Sequence, residues 1–217
     1  MIEAYRNNPD VSLVTSAKNL IDADGNITGS TQNFAAQNLK LTGDEAARLL
    51  FSIDNYIGEP TTVLIRKKFL RDNDLCWNED EPGFFSLVDV STWLQLLTKG
   101  NLFRCVEPLS ALRVHSEQGT FWKFTGALFA INYVKLFKTS LDRKVFFHTE
   151  EQIRTAMFFL FRYCLNQLQR AQAEKYHSAE IETLEKTFAN LAQALTNNHK
   201  IELPKIEYSD HGLNSMT

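Results

Sequence analysis

Residues 84–118, FFSLVDVSTWLQLLTKGNLFRCVEPLSALRVHSEQ, carry most of the information about the fold. Four apolar side chains in this stretch recur at the three- and four-residue spacing of a helix: Val90, Trp93, Leu94 and Leu97. They predict an amphipathic helix over 88–99, with Gly100 as its C-terminal cap. Two strand candidates follow, 102–106 and 109–114, interrupted by Pro108.

The residues upstream of this stretch predict short strands, a turn and a second helix. Residues 11–16, VSLVTS, indicate a buried strand, and 22–26, DADGN, are typical of a turn because Gly and Asn accept positive φ. Residues 29–40 show little periodicity and predict a loop. A further buried strand is predicted over 61–66, and the acidic residues 71–83 predict another loop.

Thr42 and Glu45 have the spacing of a capping box, which predicts a helix from there to Asp54. Its buried face is predicted from four apolar residues: Ala46, Leu49, Leu50 and Ile53. Three more helices are predicted downstream, over 120–139, 149–175 and 178–197. The predicted organisation is an α/β domain at 1–119, an all-α tail at 120–200 and a flexible C-terminus at 201–217.

Composition excludes some classes of function. A net charge of −3 and a pI near 6.0 argue against a nucleic-acid-binding protein, which normally presents a basic face. Three widely spaced cysteines show no metal-ligand pairing and favour a reducing compartment. Residues 1–10, MIEAYRNNPD, do not show the basic-then-apolar pattern of a signal peptide, and the longest apolar runs are far shorter than the about 20 residues of a membrane span. We therefore expect a cytoplasmic protein, with peripheral contact at the inner face of the membrane as a further option.

Asp89 is the leading candidate for chemistry. A carboxylate in the first turn of a helix is stabilised in its ionised form by the helix dipole, and an ionised carboxylate can act as a general base. The alternative is that Asp89 only favours the start of the helix, a common role for aspartate.

Other candidates have equally plain alternatives. His115 ends a predicted strand and could bind a metal or a phosphate, or it could be an ordinary surface histidine. Residues 58–61, GEPT, form either a bend that a ligand can approach or a simple loop. Trp93 lies one helical turn after Asp89 and would form the wall of a sugar pocket or part of the core.

The predicted tail contains an aromatic run at 157–161, MFFLF, and three arginines at helical spacing, Arg154, Arg162 and Arg170. The aromatic run indicates either a membrane-facing patch or a core between helices. The arginines would suit an acidic lipid surface or simple solvation.

In order, these segments resemble the C-terminal half of a family 2 glycosyltransferase of the GT-A fold. The resemblance covers roughly residues 1–120 and rests on four segments: NPDVSLVTS at 8–16 with LIDADG at 20–25, GEPTTVLIR at 58–66, VDVSTWLQLL at 88–97 and LSALRVHSEQ at 109–118. It implies a partial GT-A, Rossmann-like half with a short mixed sheet, followed by an all-α C-terminal tail.

The resemblance also implies roles for individual residues. Asp89 would be the catalytic base of an inverting transfer from a nucleotide sugar to an acceptor hydroxyl, with Mg or Mn as cofactor. The acceptor would contact Gly58, Glu59, Pro60 and Trp93. His115 would lie by the metal, and Arg113 and Gln118 by the donor diphosphate.

The uridine-binding strand and the Asp-x-Asp motif of that family have no counterpart ahead of Asn8, and Asp22 and Asp24 are interpreted as turn residues. We therefore expect a fragment that is inactive alone, from an enzyme of polysaccharide or glycoconjugate synthesis with a sugar or glycolipid acceptor. The alternative function is a non-catalytic interaction module that binds a partner or forms a homo-oligomer through the helical tail.

Overall fold

The computed structural model divides into two compact units, residues 1–77 with 88–118, and residues 78–87 with 119–217. The residues that the structure describes are 1–30, 36–53, 55–70, 87–115, 125–197 and 201–204. The predicted loop at 71–83 and most of the predicted C-terminal segment lie outside these described residues. The protein is of mixed α/β class.

The described residues of the first unit form a mixed sheet and three helices. Its elements in chain order are α1 (Ile2–Asn7), β1 (Val11–Ile21), β2 (Ile27–Ser30), β3 (Leu39–Leu41), α2 (Gly43–Ile53), β4 (Val63–Ile65), α3 (Val88–Leu97) and β5 (Asn101–Arg113). Short 3-10 turns at Pro60–Thr62 and Lys67–Leu70 flank β4.

Strand β1 is the centre of the sheet. It runs parallel to β5 along its whole length and antiparallel to β4 and β2 on its other side, while β3 pairs antiparallel with β5. The side chains from Val11 to Lys18 are all buried, as expected for a strand covered on both faces. The strand predicted over 11–16 is therefore confirmed, and it continues to Ile21.

Strand β5 corrects one prediction. The sequence predicted two strands separated by Pro108, but the structure has a single strand from Asn101 to Arg113. The register with β1 shifts on both sides of Ala17, the residue that pairs with Pro108. A proline has no N–H to donate to a ladder, and such an irregularity is where a strand can accommodate it.

Helix α3 has the predicted buried face, since Val90, Trp93, Leu94 and Leu97 are all buried. The predicted role of Gly100 is wrong, because Gly25 and Gly58 are the glycines with positive φ among the described residues. Gly100 is needed for a different reason. A Cβ there would lie 2.6 Å from the backbone oxygen of Asp10, where β5 begins beside β1.

Helix α2 has the predicted capping box. The backbone N–H of Glu45 donates to Thr42 Oγ1, and the N–H of Thr42 donates to Glu45 Oε2. The predicted buried face is confirmed at Ala46 and Leu50 but not at Leu49 and Ile53. The buried side is Gly43, Ala46, Ala47, Leu50 and Phe51.

Ile53, predicted as buried, is 47% exposed. Two short strands that overlap the two ends of the loop predicted over 29–40 were also missed, because β2 and β3 are only four and three residues long. Such lengths are too short for an alternating pattern to emerge.

The described residues of the second unit form three helices, α4 (Thr125–Asp142), α5 (Glu150–Ala173) and α6 (Ala179–Ala194), which confirms the three predicted helices within a few residues. Thr149 and Gln152 form a capping box at the start of α5. Aromatic pairs join the elements, with ring centroids 5.7 Å apart for Tyr133 and Tyr163 and 4.5 Å for Phe161 and Phe188. In the described part of the chain, no helix has the length and hydropathy needed to cross a membrane.

Candidate functional site

The carboxylate of Asp89 lies in the first turn of α3 and is half-buried. Its Oδ1 accepts a hydrogen bond of 2.8 Å from the backbone N–H of Val90, and its Oδ2 accepts one of 3.0 Å from Asn55 Nδ2. One oxygen therefore serves the helix start, as the simpler interpretation predicted. The other ties the carboxylate to the loop that follows α2.

Asn55 and Gly58 form a tight turn beside this carboxylate. The N–H of Gly58 donates to Asn55 Oδ1 at 3.1 Å, and Gly58 has a φ of +96°. A Cβ at this position would lie 2.7 Å from Thr62 Oγ1. Both the backbone conformation and the close packing thus require glycine.

Trp93 packs against the same turn from the core. The residue is only 2% exposed, and its indole Nε1 donates to the carbonyl oxygen of Gly58 at 3.0 Å. Of the two alternatives for this residue, the structure shows the core position.

Glu59 pairs with Lys18, a buried cation on strand β1. The lysine side chain is 10% exposed and that of Glu59 is 40% exposed. Thr15, also on β1, donates through its hydroxyl to the carbonyl oxygen of Ile57 at 2.5 Å. The loop that carries Glu59 is thus fixed to the central strand, and Pro60 opens the 3-10 turn that leads into β4.

The surroundings of Asp89 raise the pKa of its carboxyl group. Burial is the largest cause, and the negative charge of Glu59 acts in the same direction. The hydrogen bonds from Val90 and Asn55 act in the opposite direction because they stabilise the ionised form. A carboxylate with a raised pKa accepts a proton more readily, which is the property a general base needs.

A cavity of about 80 Å³ is lined in part by Asn55, the residue that donates to Asp89. It is lined by Ser16 and Lys18 of β1, Arg104 of β5, the loop 55–58 and Thr62. Arg104 is 3% exposed and donates to the carbonyl oxygen of Tyr56 at 2.8 Å. The hydroxyl oxygen of Ser16 is buried and has no hydrogen-bond partner among the described residues.

The structure places two of the other predicted residues at the end of the sheet. Arg113, in register with Ile21, donates to the backbone oxygens of Asp22 and Ala23. His115 follows β5 and is exposed. The loop 55–59 beside Asp89 contacts β1 nearer the middle of the strand, at Thr15 and Lys18. The predicted residues therefore lie in two separate places, with Arg113 and His115 at the end of the sheet and the others around this loop. Gln118 lies outside the described residues.

Asp22 is confirmed as a turn residue, because its Oδ1 accepts the N–H groups of Asp24 and Asn26. Within the described ranges, no group of three His, Cys, Asp or Glu side chains is placed to hold a metal ion. The residues present therefore do not fit the Mg or Mn that the resemblance implies, and no chemical step is assigned to a metal here.

The sequence interpretation missed three residues of this site: Asn55, Lys18 and Arg104. A signal for the last two was present, since each places a charge inside an apolar strand, and charged residues are rarely buried without a specific partner. Asn55 had a weaker signal, as an Asn close before a Gly in a segment that ends a helix.

Comparison with known proteins gives no match to a protein-family model, to a curated protein or to a solved structure. The class defined by the fold and the site is a mixed α/β protein with a half-buried carboxylate at a helix start, beside a small cavity with two buried cations.

Proposed function

We propose that this chain is the acceptor-side part of an inverting glycosyltransferase, in which Asp89 is the general base. The observation that carries the proposal is the position of the Asp89 carboxylate, held by Asn55 beside the turn at Gly58 and Glu59. The finer fold assignment, the distal half of a GT-A sheet, belongs to the same proposal.

In the proposed reaction, Asp89 removes the proton from an acceptor hydroxyl as the oxygen attacks the anomeric carbon of the donor. The bond from that carbon to the nucleotide diphosphate breaks, and the diphosphate leaves with the electron pair. The raised pKa of Asp89 supports this role because the proton then rests on a group that binds it firmly. Asn55 would hold the other oxygen still and so orient the base.

The remaining predicted residues keep their proposed roles. Glu59 and Pro60 would border the acceptor, while Arg113, His115 and Gln118 would lie on the side of the donor diphosphate. Mg or Mn would belong to that donor side and would need ligands beyond the described residues. The product would be a polysaccharide or glycoconjugate.

The alternative function, an interaction module, requires the apolar face of 151–168 to be exposed. In the structure, Ala156, Met157, Leu160 and Cys164 on that face are buried. Phe158 is an exposed aromatic residue, at 65%. The packing of most of this face favours the transferase proposal. The hydrogen bond from the Val90 N–H to Asp89, and a cavity that Asp89 does not line, are what the interaction module predicts.

The experiment that tests the proposal is affinity labelling with epoxyalkyl glycosides, which react with a carboxylate next to a bound saccharide. The expected result is a labelled peptide that contains Asp89, found by mass spectrometry and absent from the Asp89→Asn variant. Asp142→Asn is the matched control, since Asp142 is an exposed carboxylate paired with Lys138 in α4. The proposal is contradicted if the label is found on peptides other than the one with Asp89. It is also contradicted if an epoxide without the sugar labels Asp89 to the same extent.

Nucleotide binding provides a second test. An acceptor-side part without a donor site binds UDP no tighter than about 1 mM, or about 4 kcal/mol, with or without Mn. Calorimetry on the 217-residue chain measures this directly. Tight, metal-dependent binding of UDP would show that the donor site is within this chain and would make Asp22, Asp24 and His115 the first residues to mutate.

A further inference from the structure

Helix α5 has a second apolar stripe besides its buried one. The buried stripe consists of Ala156, Met157, Leu160, Cys164 and Ala171. A second set recurs at three- and four-residue spacing and shares a different side of the helix, here called the outer stripe: Phe158, Phe161, Leu165 and Leu168. Phe158 is 65% exposed, and the other three residues are partly buried. A contiguous apolar patch, unlike a single exposed side chain, indicates an interaction surface.

Two grooves lie along the outer stripe, one towards each end of it. The first groove has a volume of about 460 Å³, and its lining includes Leu165 and Leu168 of α5 and Ile181 of α6. The ring of Phe161, nearer the start of α5, packs on the ring of Phe188 with the centroids 4.5 Å apart. The second groove has a volume of about 410 Å³ and is lined by Arg154, Thr155, Phe158 and Leu195. Helices α5 and α6 therefore form one face that is apolar in its middle and open at two places.

The two ends of the outer stripe differ in charge. Two ion pairs within α5 cancel each other's charges, Arg154 with Glu150 and Arg170 with Glu174. They leave the exposed Glu151 in the first turn of the helix and the exposed Lys175 just after its last turn. Lys175 and His177 line the first groove at the loop between the helices, whereas Glu185, also in the lining, lies further along α6. One end of the stripe is thus acidic and the other basic.

The backbone at Lys175 is in a conformation that glycine adopts more easily. Its φ is +51°, and the N–H of the next residue, Tyr176, donates to the carbonyl oxygen of Ala171 at 2.9 Å, which closes the end of α5. Helices that end in this way usually have glycine at the left-handed position, because any other side chain is strained there. A lysine at this position is accounted for if its charge is used.

The outer stripe is complementary to a second, antiparallel copy of itself. Glu151 and Lys175 lie 12 residues before and after position 163, and Phe158 and Leu168 lie five residues before and after it. If two α5 helices pack antiparallel with their positions 163 level, each Glu151 meets a Lys175 and each Phe158 meets the groove beside Leu168. The opposed helix dipoles also favour this direction. A parallel arrangement would bring the two copies of Lys175 together.

We propose that the outer face of α5 and α6 binds a second copy of this chain in an antiparallel, two-fold arrangement. Each Phe158 would enter the first groove of the other copy, and Glu151 would pair with Lys175 at both ends. The inference is independent of the proposed transferase activity. A two-fold contact uses the same patch on both copies, so the assembly stops at a dimer.

The area of this face suits a dimer of modest affinity. Helices α5 and α6 have 24 and 16 residues, so at about 1.5 Å per residue and about 10 Å of width per helix the face covers about 600 Å². Stable interfaces bury about 600–1,000 Å² on each partner, and this face is at the lower end of that range. The dimer should therefore dissociate within an accessible range of protein concentration.

The experiment is sedimentation velocity on the full chain from about 1 μM to about 200 μM, a range that brackets micromolar dissociation constants. The expected result is a rise from the mass of one chain to that of two. Phe158→Gln should weaken the dimer about tenfold or more, as loss of a central aromatic contact does. Ile27→Gln is the matched control, because Ile27 is 67% exposed but lies on β2, and it should have no effect.

Charge reversal tests the antiparallel register. Glu151→Lys and Lys175→Glu should each weaken the dimer about threefold, the effect of an exposed ion pair, and the double variant should restore it. Lys186→Glu, at an exposed lysine of α6 outside the lining of the first groove, should change nothing. Circular dichroism verifies that each variant is folded. Failure of the double variant to recover the dimer would overturn the register.

Arg162 distinguishes a second copy from an acidic lipid surface. It lies next to position 163, so the two copies of this exposed arginine would be close together in the dimer and would repel each other. Arg162→Gln should therefore leave the dimer as strong or stronger, whereas it should weaken binding to anionic lipid. Flotation with phosphatidylserine and phosphatidylcholine vesicles measures the second property.

Three results would overturn the proposal. The chain could stay monomeric up to the highest concentration, or it could form a dimer that Phe158→Gln leaves unchanged, which would place the contact elsewhere. It could also float with anionic vesicles as a monomer and lose that binding in both Phe158→Gln and Arg162→Gln. That last result would assign the outer face to a membrane surface instead of a second copy.

Discussion

Replacing Gly58 with alanine should destabilise the first unit by about 2–4 kcal/mol. Gly58 has a φ of +96°, and a side chain in such a conformation costs about 1–3 kcal/mol. The added Cβ would also lie 2.7 Å from Thr62 Oγ1. That hydroxyl donates to the carbonyl oxygens of Ile57 and Glu59, so moving it away loses a hydrogen bond worth about 1 kcal/mol.

Gly25 provides the control, because its φ is +93° but nothing lies within 4 Å of the point that a Cβ would occupy. Gly25→Ala therefore measures the cost of the backbone strain in the absence of a clash. The assay is urea unfolding followed by tryptophan fluorescence, with the free energy of unfolding compared among variants.

Gly58→Ala should lower the free energy of unfolding by about 1–2 kcal/mol more than Gly25→Ala does, which is the cost of a clash with an immobilised hydroxyl. The Thr62→Ala background should remove most of this difference, because both atoms nearest to the new Cβ are then absent. Equal losses for the two glycines would refute the packing of the turn at 55–58 against Thr62.

Three further predictions concern Asp89, Asn55 and Thr149. The pKa of Asp89 in the folded state is raised above 3.8, so the stability that its protonated form contributes is complete below that pH. This stability is lost as pH rises through the folded-state pKa. In urea unfolding, Asp89→Asn should therefore flatten this part of the plot of unfolding free energy against pH. A wild-type profile that rises relative to the variant over that range would contradict it. Asn55→Ala removes a hydrogen bond that stabilises the carboxylate and should raise the pKa of Asp89 further, as measured by ¹³C NMR titration; an unchanged or lower pKa would disprove the contact. Thr149→Ala breaks the capping box of α5 and should cost about 1 kcal/mol, whereas Thr155→Ala in the next turn, where the hydroxyl is exposed, should cost less.

Much of the fold follows from local patterns, and the exceptions have physical causes. Helix α3 was predicted with its buried face because four apolar residues repeat at helical spacing over ten residues. The buried face of α2 was predicted only in part, because Ala47 and Phe51 are buried and Ile53 is not. Which of two neighbouring stripes of a helix is buried is a tertiary property. The continuity of β5 through Pro108 likewise depends on a register shift in β1, its partner strand.

Only part of the candidate site could be predicted from the sequence, because its residues come from distant segments. Asp89 could be selected because a carboxylate in a first helical turn is a local feature. Its neighbours come from distant segments: Asn55 is 34 residues away in the chain, and the pair of Lys18 and Glu59 is separated by 41. No spacing rule joins such positions, so only the fold brings them together.

The same long-range arrangement explains why Asp89 is not simply a helix-favouring residue. An aspartate with that single role would be exposed to solvent, with its carboxylate stabilised and its pKa low. Here burial and the charge of Glu59 outweigh the hydrogen bonds from Val90 and Asn55, and the pKa is raised. Lys18 is the group that offsets Glu59, so a cation on β1 controls how strongly the second carboxylate acts on the first. An arrangement that keeps a carboxylate ready to take a proton, and holds the competing charge in an ion pair, is costly for stability alone, and it is the arrangement that the proposed general base requires.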